Sequence, residues 1–194
     1  RVAVYAPEPS SPAFLHTPFS YCGSFTDETM LTDFFEFCDV VTFEFENVST
    51  ERMTKICQDT GKSIWPSENV LATTQNRILE KRFLKENNFP QVGFISVETP
   101  AALNDRILNG TYPTIVKTAL GGYDGKGQYL LKNIQEGQTF LSQLETSKLE
   151  HNFPALVFEE VATLWKEASV IVARDCSGRC SIFPIFFITS NFAQ

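Results

Sequence analysis

Two lysines bracket a cluster of glycines in the stretch Tyr112–Leu131, YPTIVKTALGGYDGKGQYLL. Lys117 closes an apolar run that reads as a buried strand, and Gly121, Gly122, Gly125 and Gly127 follow it closely. Closely spaced glycines let the backbone fold around an anion so that its N–H groups meet phosphate oxygens. Lys117 at the strand end could neutralise inner phosphates, and Lys126 within the loop could reach a terminal one. Tyr123 and Asp124 sit between them in the same loop, and Gln128 opens the strand that follows. The spacing fits neither the P-loop nor the dinucleotide GxGxxG fingerprint. By composition alone the segment reads equally as a glycine-rich β-hairpin with a solvated lysine. The paired lysines and the Tyr–Asp step favour phosphate.

Two acidic constellations accompany it. In ALVFEEVATLWKEASVIV, residues 155–172, Glu159 and Glu160 close an apolar strand, where ionised side chains need water, cations or donors. If the strand ends there as a hinge, Val161 and Ala162 offer free backbone groups to an adenine edge, and Glu167 could accept from ribose hydroxyls. Read alone, Glu159, Glu160 and Glu167 are more simply strand-edge charges that discourage aggregation. In DVVTFEFENV, residues 39–48, alternation places Glu44 and Glu46 on one face of an extended segment past an apolar strand. Carboxylates at that end of a strand lie where open α/β sheets take ligands, and an exposed acidic strand end is an equal reading.

The elements that would carry these residues change character along the chain. The first half alternates: a strand over Val2–Tyr5 and a helix over Thr26–Phe37 with Leu31, Phe34 and Phe35 inward, then a strand over Val40–Phe43 and a helix over Ser49–Thr60 ended by Gly61. That predicts an open, parallel α/β sheet. Thr74–Asn87 reads as one amphipathic helix with Ile78, Leu79 and Phe83 inward. Beyond it come a strand over Phe94–Val97, a helix over Pro100–Asn109, strands over Thr114–Thr118 and Gln128–Leu131, and a helix over Ile134–Glu145. Strands over Ala155–Val161 and Glu167–Arg174, a turn at Asp175–Gly178 and a strand from Cys180 complete an α+β pattern. The expected division is residues 1–90 and 91–194, with the boundary near 88–92.

Composition narrows the function classes. A net charge of −7 argues against a nucleic-acid surface but allows a phosphorylated small molecule, which needs only local cations and amides. The five cysteines are scattered and the only histidines are His16 and His151, so free thiols are expected rather than a zinc site. The apolar run near Ile182–Ile188 is interrupted by Pro184 and too short to span a bilayer. A soluble cytoplasmic protein with no membrane or nucleic-acid partner is the expectation.

Together the segments resemble one family. DVVTFEFENV, QNRILEKRFL, VKTALGGYDGKGQ and FEEVATLWKEASVIVARD occur in the order and spacing of the ATP-grasp carboxyaminoimidazole ribonucleotide synthetases. VAVYAPEPSSPA is similar to that family's second strand and the loop after it, so the resemblance runs from about residue 2 to about residue 178. It implies an ATP-grasp fold preceded by an open parallel-sheet, Rossmann-like domain. It also implies ATP- and bicarbonate-dependent carboxylation of aminoimidazole ribonucleotide through carboxyphosphate, with Mg²⁺ (or Mn²⁺) on the phosphates, in a homodimer.

Carried over by position, the resemblance makes Arg77 and Lys117 nucleotide contacts and Gly122–Gln128, which includes Gly125 and Gly127, the loop over the phosphates. Glu159, Glu160, Val161 and Ala162 match the adenine hinge, and Glu167 the ribose acid. Tyr123, Asp124 and Lys126 match positions that handle bicarbonate and the substrate amine, with Glu46, ahead of Glu44, facing the same pocket. The sequence departs from the family at both ends. The opening GGGQLG-like turn is absent, and after Phe183-Pro184 the family's E-N-x-H pattern is replaced by Ile185–Asn191. Metal-binding carboxylates are expected beyond Gln194, so this stretch alone is expected to turn over weakly or not at all. The alternatives are a non-catalytic ATP-binding remnant and another ATP-grasp ligase, such as a biotin carboxylase or a formate-using purine transformylase.

Overall fold

The structure is a computed structural model that describes residues 1–121, 127–146 and 153–188. It resolves into two compact units, residues 1–160 and 161–194.

In the first unit, β1 (Ala3–Ala6) pairs in parallel with β2 (Phe19–Cys22), and β3 (Val41–Thr42) in parallel with β4 (Ile64–Trp65). Helix α1 (Glu28–Phe37) starts at Asp27, whose carboxylate accepts from the Met30 N–H. Its Leu31, Phe34 and Phe35 are buried at helical spacing. Helix α2 (Thr50–Thr60) starts at Ser49, which accepts from Arg52, and stops at Gly61 in the left-handed conformation. These elements share one core with Val41, Met53, Ile56 and Ile64.

The parallel pairing expected from the alternation is present, as two pairs with no hydrogen-bonded ladder between them. β1 and β3 are not hydrogen-bonded to each other; both line an apolar cavity of about 760 Å³, and so face each other across a space rather than along a ladder.

The helix expected over 74–87 is realised with a later start, and a separate helix not expected from the sequence precedes it. α3 (Glu68–Thr74) ends before Gln75, and α4 (Arg77–Glu86) begins anew at Asn76, whose side-chain oxygen accepts from the N–H groups of Ile78 and Leu79. That cap fixes a different inward face. Ile78 is buried, whereas Leu79 and Phe83 are 41% and 49% exposed.

The rest of the first unit is a four-stranded antiparallel sheet in the order β5 (Phe94–Val97), β8 (Leu156–Glu160), β6 (Thr114–Thr118), β7 (Gln128–Leu131). Alternation divides its two faces. Val97, Val116, Leu131, Leu156 and Phe158 pack against α5 (Pro100–Asn109) and α6 (Ile134–Thr146) through Leu103, Ile107 and Phe140. The opposite face carries Val157, which packs with Ile78 of α4, Ala119 and Phe94.

In the second unit the strand expected over 167–174 is broken at Val170-Ile171, because its halves pair with different partners. β9 (Glu167–Ser169) pairs with β12 (Phe186–Ile188), and β10 (Val172–Arg174) with β11 (Cys180–Ile182), both antiparallel. Asp175 shapes the β10–β11 turn by accepting from Ser177 and Arg179. Among the described residues no helix is long and apolar enough to cross a membrane.

Because Asn76 alone satisfies two N–H groups of the first turn of α4, Asn76→Ala is expected to cost about 1 kcal/mol of stability, and Asn76→Asp much less. Urea unfolding of the two variants checks this.

Candidate functional site

The face of the antiparallel sheet that packs on α4 also carries its charges. β6 and β8 run antiparallel with Ile115 opposite Glu159 and Lys117 opposite Val157. Lys117 and Glu159 are therefore diagonal neighbours on one face, within reach of long side chains. The Lys117 ammonium donates to Glu159 Oε2 at 2.8 Å. From α4, one turn beyond Arg77, Lys81 reaches the other oxygen, Oε1, at 2.9 Å. The Lys81 ammonium also lies 5.4 Å from the centre of the Phe94 ring, on the neighbouring strand.

The three side chains differ in access. Glu159 is 7% exposed, Lys81 12% and Lys117 24%, so Lys117 is the member that solvent reaches best. Burial pushes the Glu159 carboxyl up, but the hydrogen bonds and charges of Lys117 and Lys81 outweigh it and hold the group below its ordinary value. Two ammonium groups on one carboxylate leave one positive charge in excess, which attracts an anion to the exposed side of Lys117.

Arg77 stands at the same end of the sheet. Its N–H donates to Ala119 O at 2.9 Å and its guanidinium to Thr118 O at 2.8 Å, tying the first turn of α4 to the end of β6. Thr118 N donates to Gly127 O, and Ala119 N to Ala155 O. The β6–β7 connection is thus closed at its base, with Lys117 opposite Gln128 in the final pair. Gly121 and Gly127 flank the connection at φ of 75° and 70°, a conformation that side chains with a Cβ resist. Gly122, Tyr123, Asp124, Gly125 and Lys126 lie outside the described residues.

Glu160 follows at the end of β8, where its N–H donates to Gly93 O. A Cβ at Gly93 would stand 2.6 Å from the Glu160 carboxylate, so the glycine makes room for it. Val161 and Ala162 continue the chain, exposed, in the second unit, and Glu167 opens β9 there, also exposed.

The acidic pair near β3 lies elsewhere. Residues 43–49 bend repeatedly and do not continue β3, so the strand-like alternation expected for Glu44 and Glu46 is not realised. Both are exposed; Glu44 stands at the lining of the apolar cavity, and the Glu46 carbonyl accepts from Val48 N–H. Among the described residues no hydrogen bond or ion pair joins either carboxylate to the Lys81–Glu159–Lys117 cluster. No group of three His, Cys, Asp or Glu among the described residues is arranged to hold a metal.

Lys117, Arg77 and Glu159, singled out in the sequence, lie together here with Lys81 and Gly93, which were not. Lys81 had a signal in its i+4 spacing from Arg77, which puts both on one helical face. It was masked by the apolar residues Leu79 and Phe83, which draw the inward face elsewhere.

Residues 82–191 match the family model described as ATP-grasp domain, and residues 1–75 match the ribonucleotide synthetase preATP-grasp domain. The chain is 32% identical over 185 residues to the N5-carboxyaminoimidazole ribonucleotide synthase of Staphylococcus aureus (strain MRSA252), covering 95% of this chain and 47% of that one. The solved N5-carboxyaminoimidazole synthetase of Staphylococcus aureus complexed with ADP superposes with a TM-score of 0.85 at 30% identity, covering 96% of this chain and 48% of that one. The ATP complex of carboxyaminoimidazole ribonucleotide synthase from Aspergillus clavatus gives a TM-score of 0.80 at 26% identity, over 96% and 47%. The chain spans about half the length of the relatives it matches.

The lowered Glu159 pKa sets the sign of an acid effect. The ordinary value is 4.5, so the carboxylate's contribution to stability is complete above that pH and is lost as pH falls through the lower folded value. Glu159→Gln is expected to be less stable than the parent at pH 7, with the gap narrowing below pH 4.5. Unfolding free energies measured across that range check it.

Proposed function

The chain belongs to the ATP-grasp domain family, and we propose that it binds ATP at the Lys117 end of the antiparallel sheet as part of a ligase that carboxylates aminoimidazole ribonucleotide. The observation that carries this reading is the placement of Lys117. It is held by a buried carboxylate, keeps an exposed side, and stands at the closed base of a glycine-flanked loop beside Arg77. The names of the relatives supply the substrate class.

In this reading Lys117 and Arg77 meet the phosphates, and the loop Gly122–Gln128 covers them. Backbone groups from Glu159 to Ala162 take the adenine edge, and Glu167 the ribose. A bicarbonate oxygen attacks the γ-phosphorus, the bond to the β,γ-bridging oxygen breaks, and ADP leaves with carboxyphosphate formed. The exocyclic amine then attacks the carboxyl carbon and phosphate departs, while the amine gives up a proton. Tyr123, Asp124 and Lys126 are assigned to the bicarbonate and the amine, with Glu46, ahead of Glu44, facing them. A loop closed over carboxyphosphate keeps out the water that would hydrolyse it.

Mg²⁺ or Mn²⁺ accompanies ATP in this proposal. Among the described residues no three His, Cys, Asp or Glu side chains are grouped to hold the ion, and no step is assigned to it. The proposal includes a division at about residue 90; residues 31–71 and 97–158 build separate cores, and α4 packs on the sheet that follows it through Ile78. It also includes a cytoplasmic homodimer.

The test is ADP release by the natural full-length protein with ATP, Mg²⁺ and bicarbonate, with and without aminoimidazole ribonucleotide. Release is expected to depend on the ribonucleotide and to fall by about a hundredfold or more in Lys117→Ala, the scale for removing a charged contact to the reacting group. Bound ATP with no stimulation by the ribonucleotide would remove the proposed substrate.

A further inference from the structure

We infer that Lys81 is a positioning residue for the nucleotide: it shares the charge of Glu159 so that Lys117 keeps a net positive charge for the phosphates. The inference rests on the ATP reading above and adds a residue and a coupling to it.

Lys117 is anchored by a carboxylate that is itself buried. Such an anchor has two opposed effects. It restricts the lysine's rotamers, which lowers the entropy lost when an anion binds. It also places a negative charge 2.8 Å from the ammonium, and in a half-buried site that largely cancels the attraction for phosphate. A one-to-one pair would hold Lys117 in place and neutralise it.

Lys81 removes the second effect. It takes the other oxygen of Glu159 at 2.9 Å from the far side, on α4, and is itself 12% exposed. The three groups together carry a single positive charge, and the exposed member is Lys117. Lys81 is set for this role by Ile78, buried three residues earlier against Val157, and by the Phe94 ring beneath its ammonium. Its effect on the nucleotide passes through Glu159.

That route has a signature that a plain packing role lacks. Without Lys81 the carboxylate belongs to Lys117 alone, and the Lys117–Glu159 pair loses the net positive charge it offers the phosphates. If the carboxylate is then neutralised as well, the charge returns. Two changes that are each adverse for local packing therefore combine to restore binding.

The test is calorimetric titration of ATP into the natural full-length protein. Lys81→Met is expected to weaken ATP binding about tenfold, equivalent to about 1.4 kcal/mol, and Lys81→Arg to stay within twofold of the parent. The double variant Lys81→Met with Glu159→Gln is expected to return to within about threefold of the parent. Should Lys81→Met not fold, Lys81→Gln carries the same expectation alone and in combination.

ATP binding unchanged in the Lys81 variants would overturn the inference, as would a double variant no tighter than the single one. The second result would mean that Lys81 acts by direct contact or by packing. A parent protein that binds no ATP fails at the earlier reading instead, so the two failures are distinguishable.

Discussion

An ionised carboxylate removed from water costs several kcal/mol even after the surroundings relax, and a single partner seldom offsets it. Glu159 sits under that constraint near the end of the interior strand β8, with strands on both sides and α4 over its face. The arrangement around it reads as the solution. One lysine comes from the adjacent strand, another from the helix above, and each takes one oxygen. For both to arrive, α4 must lie over β8 in a fixed rotation, which Ile78 provides by packing on Val157. The register of β6 against β8 must also put Lys117 on the diagonal. A slip of one residue would turn it to the opposite face, among Leu103, Ile107 and Phe140.

The same requirement ties the glycine loop to the helix. Arg77 donates to the Thr118 and Ala119 carbonyls at the end of β6, and the Thr118 N–H closes the hairpin onto the Gly127 carbonyl. α4 is capped by Asn76 within a residue of that point. The start of the helix, the end of the strand and the base of the loop therefore form one hydrogen-bonded corner, so a change in the rotation of α4 would move Lys81, Arg77 and the loop base together.

Much of this was legible in the residues. The strands Phe94–Val97, Thr114–Thr118 and Gln128–Leu131 and the helix Pro100–Asn109 follow from apolar periodicity bounded by proline, glycine and capping threonine. The helix expected over 74–87 starts later than its periodic run suggests, because Asn76 looks like a tolerated polar residue inside that run, while its side chain in fact caps the helix start. Short strands β2 and β4, only four and two residues long, carry too little pattern to be separated from loop. The break at Val170-Ile171 is invisible locally, because it is decided by which distant strand each half pairs with. Lys117 and Glu159 stood out as charges at strand ends. Lys81 did not, since a lysine on an amphipathic helix ordinarily faces water.

Family resemblance and physical reading therefore contribute different things. The resemblance assigns roles to positions one at a time, and by that measure Glu159 is a hinge residue and Lys117 a phosphate contact. The geometry makes them parts of one electrostatic object whose net charge depends on a third residue that the motifs leave unnamed. A lysine left free in solvent would have full charge but no fixed direction; one paired with a carboxylate has direction but little charge. Sharing the carboxylate between two lysines gives both properties at once, and it requires the carboxylate to be buried, because in water the second lysine would gain too little from the pairing to stay. The burial of Glu159, at first sight the least favourable feature of this sheet, is thus what allows the cation above it to be both ordered and available.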